Sequence, residues 1–113
     1  MLTGKPDYGG QMINTVLVAN RGEIACRILR ACTEAGLRSV AVYANNDAGS
    51  MFTELASKAV PLIGETIAET YLNQEQILQI AAAHDVDAIH PGFGFLSERA
   101  DFAQAVVAAG INW

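Results

Sequence analysis

Basic residues are scarce in this chain of 113 residues: seven lysines and arginines stand against twelve aspartates and glutamates, a formal charge of −5. Without a run of lysine or arginine, a nucleic-acid or anionic-membrane surface is not expected. Long apolar runs are also missing, since no stretch approaches the ~20 residues of a transmembrane helix. The N-terminus lacks the basic-then-apolar order of a signal peptide. We therefore predict a soluble, cytoplasmic protein with neither a nucleic-acid nor a membrane partner.

Cysteine is sparse too, since Cys26 and Cys32 are the two in the chain. Their spacing fits neither a C-x-x-C redox motif nor a zinc ligand set, and the sequence predicts no metal site. Both fall within one predicted helix, so we interpret them as buried, reduced thiols.

The length and the 51% hydrophobic content suit one modest domain. Residues 1–12 have a turn-forming composition and no periodicity, so we predict a flexible lead-in there and the domain over 13–113. The chain stops at Ile111-Asn112-Trp113, which resembles the start of another strand. We expect the domain to be truncated at this point.

From residue 13 onward, apolar runs alternate with amphipathic segments of helix length, which predicts a βαβ series. Strands are predicted near 15–19, 39–43, 59–63 and 87–90, and helices near 22–35, 73–84 and 98–109, with a weaker helical turn near 51–57. Asn73 with Gln76 resembles a capping box, and Ser97 is predicted to cap the last helix. The fold class is α/β: a Rossmann-like open parallel sheet with helices on both faces.

Two loops hold the candidate functional residues, and each follows a predicted strand. Asn20, Arg21, Gly22 and Glu23 come after the first strand, and the segment 90–98 comes after the fourth. Because the carboxyl ends of parallel strands meet at one edge of an open sheet, we expect both loops to converge on one crevice.

The second loop places Gly92 and Gly94 on either side of Phe93. Glycine permits backbone angles and close approaches that a Cβ would block, so a ligand loop and a purely structural turn both fit. Ser97 stands where a dinucleotide fingerprint needs glycine, and the Gly-Lys-Ser/Thr ending of a phosphate loop is missing. We interpret His90 as a strand-end side chain held by backbone groups rather than as a general base.

The charged residues of the first helix leave two interpretations open. Arg21 and Glu23 either form an ordinary exposed ion pair, worth about 0–1 kcal/mol, or shape the site. Glu23 and Arg27 have the favourable acid-first order four residues apart, whereas Arg30 and Glu34 have the reverse order. A solvated helix face and a contact surface both suit the second pair.

Several ordered blocks resemble the N-terminal domain of biotin carboxylase, the ATP-dependent component of biotin-dependent carboxylases. The resemblance extends over 15–113 and is carried by Val18–Arg30, Val40–Tyr43, Tyr71–Asn73, Ala88–Glu98 and Ala100–Ala103. It implies a Rossmann-like domain that precedes an ATP-grasp region with the ATP lysines, the Mg²⁺ carboxylates and the bicarbonate-binding residues. That region is not among these 113 residues.

By this resemblance the parent enzyme would use ATP and Mg²⁺ to activate bicarbonate as carboxyphosphate and would carboxylate biotin. The implied partners are the ATP-grasp and C-terminal domains of the same enzyme, a biotin carboxyl carrier domain and a second copy of the parent. The chain by itself would contribute no catalytic residue and bind no cofactor.

The resemblance also assigns roles to individual positions. It implies a biotin-pocket wall of Gly92, Phe93, Gly94 and Glu98, a site-shaping turn of Asn20, Arg21, Gly22 and Glu23, and a homodimer contact of Arg27, Arg30 and Glu34. Phe93 replaces the usual tyrosine of the family, and Arg99 replaces the usual asparagine after Glu98. The segment 64–70 lacks the prolines common in acyl-CoA carboxylases and is more similar to the urea carboxylase branch.

A function without catalysis fits the same residues. The chain would then be an independent doubly wound module for dimerisation or for binding a small anion, because fold does not fix function. The gene sequence beyond Trp113 separates the two hypotheses, since a carboxylase must reach an ATP-grasp glycine-rich loop within one domain length.

Overall fold

The computed structural model describes residues 5–6 and 12–113. The strands are β1 Lys5–Pro6, β2 Met12–Ile13, β3 Thr15–Val18, β4 Arg38–Tyr43, β5 Lys58–Pro61 and β6 Ala88–His90. The α-helices are α1 Gly22–Glu34, α2 Met51–Leu55, α3 Gln74–Ala83 and α4 Ala100–Ala108, with 3₁₀ turns at Asn45–Asp47 and Phe95–Glu98. The predicted βαβ series is confirmed within a few residues at each boundary.

Four parallel strands form the main sheet in the order β5-β4-β3-β6. This order puts β3 and β4 in the middle of the sheet, where each is hydrogen-bonded to a strand on both sides. β3 is buried along its whole length, which suits its unbroken apolar sequence Val16-Leu17-Val18. The predicted open parallel sheet is confirmed.

Helices cover both faces of this sheet, as predicted. Leu17 and Val42 point to one face and pack with Ile77 of α3 and Phe102 of α4. Val18 and its neighbour Ala41 in β4 point to the other face, toward α1 and the short helix α2. The alternation follows from the period of two along a strand, which sends successive side chains to opposite faces.

The segment before β3 is described in part. β1 pairs antiparallel with β2, with Lys5 opposite Ile13. Residues 1–4 and 7–11 lie outside the described residues, so the flexible lead-in over 1–12 stays a prediction. At the other end of the chain, Asn112 forms a parallel bridge with Ala88 of β6, as the strand-like sequence there predicted.

The predicted helix caps meet with mixed success. The Asn73 side chain accepts a hydrogen bond from the Gln76 backbone N–H at 3.0 Å, as a capping box requires. The Gln76 amide does not return this bond: it pairs instead with the backbone of Ile63. The expected cap by Ser97 is wrong, because Ser97 belongs to the 3₁₀ turn and α4 begins after Arg99, without a side-chain cap.

The two cysteines are buried and free, as predicted. Both are buried side chains of α1, and burial raises the pKa of the Cys32 thiol. A raised pKa keeps the thiol protonated and weakly nucleophilic, which supports a packing role.

Candidate functional site

Asn20 joins the two loops at the carboxyl edge of the sheet. Its side-chain amide donates to the carbonyl oxygens of Pro91 at 2.8 Å and Phe93 at 2.5 Å, while its own oxygen accepts from Arg21 N–H at 2.8 Å. The residue is 2% exposed, so these bonds form away from water. The predicted convergence of the two loops is confirmed, and Asn20 is the group that joins them.

Gly92 fits a position that no other residue could occupy without movement. Its φ is +66°, and a Cβ there would lie 2.8 Å from Asn20 Nδ2 and 2.9 Å from Ile24 Cγ2. Both distances are shorter than real Cβ contacts, and a positive φ adds strain for any other residue. Gly92 is therefore required by the close approach of this loop to the Asn20 turn.

Gly94 is open where Gly92 is confined. It has φ +68° and ψ −162°, yet a Cβ there would meet nothing within 4 Å. Its neighbour Phe93 is 79% exposed, so the ring and the bare backbone lie side by side at the surface. The pair forms an uncovered shelf of one aromatic ring and one unobstructed peptide.

A groove of about 500 Å³ lies between helix α1 and the glycine loop, where Gly92 and Phe93 line it. Its α1 side is mainly apolar and includes Ile24 and Ile28, and Arg27 supplies a charged group at the same wall. Arg27, predicted to be a dimer-contact residue, is thus beside the glycine loop in the folded domain.

Glu98, the fourth predicted wall residue, is exposed at the end of the 3₁₀ turn. Its neighbour Arg99 pairs with Asp101 at 2.9 Å instead of with Glu98. Arg99 therefore makes a local contact with Asp101 of α4, and the Glu98 side chain is exposed to solvent.

Arg21 has a partner that the sequence did not reveal. Its guanidinium binds both carboxylate oxygens of Asp47, with Nε 2.8 Å from Oδ2, and not the nearby Glu23. Asp47 is buried and also accepts a hydrogen bond from the Tyr71 hydroxyl at 2.5 Å. Between the two interpretations of Arg21, an exposed pair with Glu23 is wrong.

The electrostatics of this cluster follow from the contacts. Hydrogen bonds from Arg21 hold the pKa of the Asp47 carboxyl below its ordinary value, although burial acts in the opposite direction. Burial, followed by the bond to Asp47, raises the pKa of the Tyr71 hydroxyl. The cluster is thus a carboxylate neutralised by a guanidinium, with a neutral phenol donating to it.

Asp47 was detectable in principle from one signal. It follows β4 by a few residues, as Asn20 follows β3, and the carboxyl ends of neighbouring parallel strands share an edge. The pairing joins residues 26 apart in sequence, and the local charge pattern around Arg21 pointed to Glu23 instead.

The outer face of α1 carries the remaining predicted contact residues. Arg30 lies 3.8 Å from Glu23 and donates to the Met51 sulfur at 3.5 Å. Arg30 and Glu34 are both exposed, and no ion pair joins them in the described part of the chain. The expected acid-first pair of Glu23 with Arg27 is replaced by the longer pair with Arg30.

His90 behaves as a structural residue. Its Nδ1 accepts a hydrogen bond from the Gly92 backbone N–H at 3.1 Å, and burial lowers the pKa of the ring. A neutral imidazole that accepts from the backbone agrees with the strand-end interpretation.

Over residues 12–113, no three histidine, cysteine, aspartate or glutamate side chains form a group that could hold a metal ion. No helix among the described residues is long and apolar enough to cross a membrane.

Together, the open parallel sheet and the two joined loops at its carboxyl edge define a doubly wound α/β domain with a ligand-type edge. Residues 12–113 match the family described as the N-terminal domain of biotin carboxylase. The chain belongs to this family.

A curated relative and two solved structures place the match in larger enzymes. The chain is 54% identical over 106 residues to the biotin-dependent acyl-coenzyme A carboxylase alpha3 subunit of Mycobacterium leprae, covering 94% of the chain and 18% of that subunit. It is 45% identical to the Kluyveromyces lactis urea carboxylase, with a TM-score of 0.86 over 88% of the chain and 9% of that structure.

The second structure is the biotin carboxylase domain dimer of Hydrogenobacter thermophilus 2-oxoglutarate carboxylase, in complex with MgADP and bicarbonate. The identity is 46% and the TM-score 0.83, covering 89% of this chain and 22% of that chain. The chain thus spans less than a quarter of each of these three proteins.

Proposed function

We propose that the chain is the N-terminal part of an ATP-dependent biotin carboxylase and that its glycine loop forms one wall of the biotin pocket. The observation that carries the proposal is the shelf of Phe93 and Gly94, exposed at the edge where Asn20 joins the two loops. An aromatic face can pack against the apolar edge of a bicyclic ring, and a peptide without a Cβ permits close approach.

Biotin fits these residues as a surface ligand whose pocket is completed by other parts of the enzyme. The shelf offers an apolar ring and backbone groups, and the adjoining groove is mainly apolar. Bound biotin would accept the carboxyl group. The residues described here orient it and exclude water from one side, while Glu98 remains a candidate polar contact at the end of the loop.

ATP and Mg²⁺ do not fit the described residues. Within 12–113 the one lysine, Lys58, begins β5 at the opposite end of the strands from the glycine loop, and no metal-binding group of side chains forms. The nucleotide, the metal and the chemical step therefore belong, in this proposal, to an ATP-grasp region elsewhere in the parent enzyme.

The other proposed partners are a C-terminal domain of the same enzyme, a biotin carboxyl carrier domain and a second copy of the parent. The Hydrogenobacter relative is described as a dimer, which supports the last of these. The relatives include acyl-coenzyme A, 2-oxoglutarate and urea carboxylases, so assignment to the urea branch stays a prediction from the sequence. The cytoplasmic location is likewise a prediction from the sequence.

We expect the isolated chain to bind Mg-ATP more weakly than about 100 μM, equivalent to about −5.5 kcal/mol. The full-length parent should, in contrast, cleave ATP in a bicarbonate-dependent reaction and carboxylate free biotin. Calorimetric titration of the chain and product assays on the parent test the two halves of this division of labour. Tighter binding by the chain, or a parent without biotin carboxylation, contradicts the proposal.

Reversing the charge of Arg30 to glutamate should weaken the parent dimer at least about tenfold, which corresponds to about 1.4 kcal/mol. The reason is that Arg30 lies half exposed on the outer face of α1, away from the glycine loop. Arg38→Glu, an exposed site at the start of β4, is the matched control. Equal dimer dissociation constants for the two variants in sedimentation experiments would remove Arg30 from the interface.

The non-enzymatic module remains the second candidate. The shelf would suit a small ligand in either case, and Arg27 at the groove wall offers a positive charge for an anion. The gene sequence after Trp113 separates the candidates most directly.

A further inference from the structure

The glycine loop is held at two places, and the second attachment is a stack of aromatic rings. Tyr71, which is 1% exposed, stacks on Phe95 with ring centroids 5.3 Å apart and planes 24° apart. Phe95 directly follows Gly94 and has φ +47°, a backbone angle that is rare for a bulky residue. Such strain persists only where surrounding contacts hold it.

Tyr71 is in turn fixed by its hydroxyl group. That hydroxyl donates to Asp47 at 2.5 Å and accepts from the Ala44 backbone N–H at 3.1 Å. Both donor and acceptor functions of the phenol are therefore used, which sets the position of the ring that Phe95 contacts.

Asp47 leads back to the first loop. Its carboxylate is bound by Arg21, the residue after Asn20, and Asn20 holds the carbonyl oxygens of Pro91 and Phe93. The glycine loop is thus held at two points. Asn20 binds its first part through Pro91 and Phe93, and Tyr71 supports its last part through Phe95. The ion pair between the half-exposed Arg21 and the buried Asp47 connects the two supports.

We infer that Asp47 and Tyr71 are positioning residues for the biotin-pocket wall, acting on Phe93 and Gly94 through Phe95. The inference rests on the proposed function for its substrate and on the contacts alone for its geometry. Neither Asp47 nor Tyr71 reaches the exposed shelf, so both act without touching biotin.

The test uses the full-length enzyme with Tyr71→Leu, which removes the ring under Phe95, and Tyr71→Phe, which keeps the ring and removes the hydroxyl. Tyr71→Leu should raise the KM for free biotin at least about tenfold, and Tyr71→Phe by a smaller factor, because a misplaced wall weakens substrate positioning. The KM for Mg-ATP and bicarbonate-dependent ATP cleavage without biotin should stay within about twofold.

Phe52→Leu is the matched control. Phe52 is 1% exposed but packs on the opposite face of the sheet. Its replacement by leucine should therefore lower the stability of the domain without removing a contact to the glycine loop. The biotin KM of this variant should not move, even at equal loss of thermal stability.

A second measurement does not depend on activity. The Ser97 N–H bonds to the Gly94 carbonyl oxygen at 2.9 Å, and its hydrogen exchange reports whether the loop is held. Tyr71→Leu should accelerate this exchange and Phe52→Leu should not.

The outcomes separate cleanly. An unchanged biotin KM in folded Tyr71→Leu overturns the positioning role, as does an equal rise in Phe52→Leu. Unchanged exchange at Ser97 overturns the mechanical link itself. A wild-type parent without biotin carboxylation overturns the proposed function, and the exchange data then still decide whether Tyr71 holds the loop.

Discussion

Alanine at position 92 should destabilise the 113-residue chain by about 2–4 kcal/mol, whereas alanine at position 94 should cost about 1–3 kcal/mol. Both glycines have a positive φ, so both substitutions introduce backbone strain. Only the Cβ at Gly92 meets the Asn20 amide and Ile24, which must move and break the bonds that hold the loop. Denaturant unfolding of both variants measures the difference.

In the full-length enzyme, Gly94→Val should impair the binding of biotin. Valine adds backbone strain at this positive φ, but its Cβ would meet nothing within 4 Å and would stand where a substrate approaches, so the biotin KM of the folded enzyme should rise by far more than tenfold. Phe93→Tyr is the control, with a change below about tenfold, because the added hydroxyl is worth at most one modest hydrogen bond. If Gly94→Val and Phe93→Tyr have equal, small effects, the shelf does not touch biotin.

Asn20→Asp is expected to be among the most damaging single changes in the chain, at about 3–5 kcal/mol near neutral pH. The substitution keeps the shape but turns a carboxylate oxygen toward the carbonyl oxygens of Pro91 and Phe93, which the amide now serves. The site is 2% exposed, so water cannot compensate.

The loss of stability caused by Asn20→Asp should depend on pH. A carboxyl group buried against two carbonyl oxygens has a pKa above its unfolded value of about 3.9, so its penalty grows as pH rises above that value. Stability should therefore recover as the pH falls toward 4, in contrast to Asn20→Ala, which loses the same bonds without adding a charge. Parallel pH profiles for the two variants would mean that the carboxylate escapes to solvent.

The extent to which sequence predicts this domain differs between its sheet and its site. The parallel strands and the meeting of the two loops follow from apolar runs and from the shared edge of parallel strands, so Asn20 and Gly92 were identifiable, whereas the strand order is known only from the structure. The pattern of apolar and polar residues does not predict the partner of Arg21, because Asp47 comes close to Arg21 only when β3 and β4 are paired.

The error at Ser97 has a related cause. A serine before an apolar helical pattern is a good cap signal, but the chain makes a 3₁₀ turn after Gly94 and delays α4. Phe95 enters that turn with a positive φ, which no local preference for phenylalanine predicts. The stack of Phe95 on Tyr71 explains this backbone angle. The sequence singled out Tyr71 only as part of a block that resembles the family, not as the partner of Phe95.

The central place of β3 bears on the order in which the domain forms during synthesis. Its pairing with β4 needs only the α1 connection, whereas Asn20 meets Phe93 across 73 residues. Loop-closure entropy favours the local βαβ unit first, and the distant contacts come later. The proposed biotin wall would thus be assembled on the ribosome only after β6 has emerged and docked beside the first strand of the sheet, as a late step of co-translational folding.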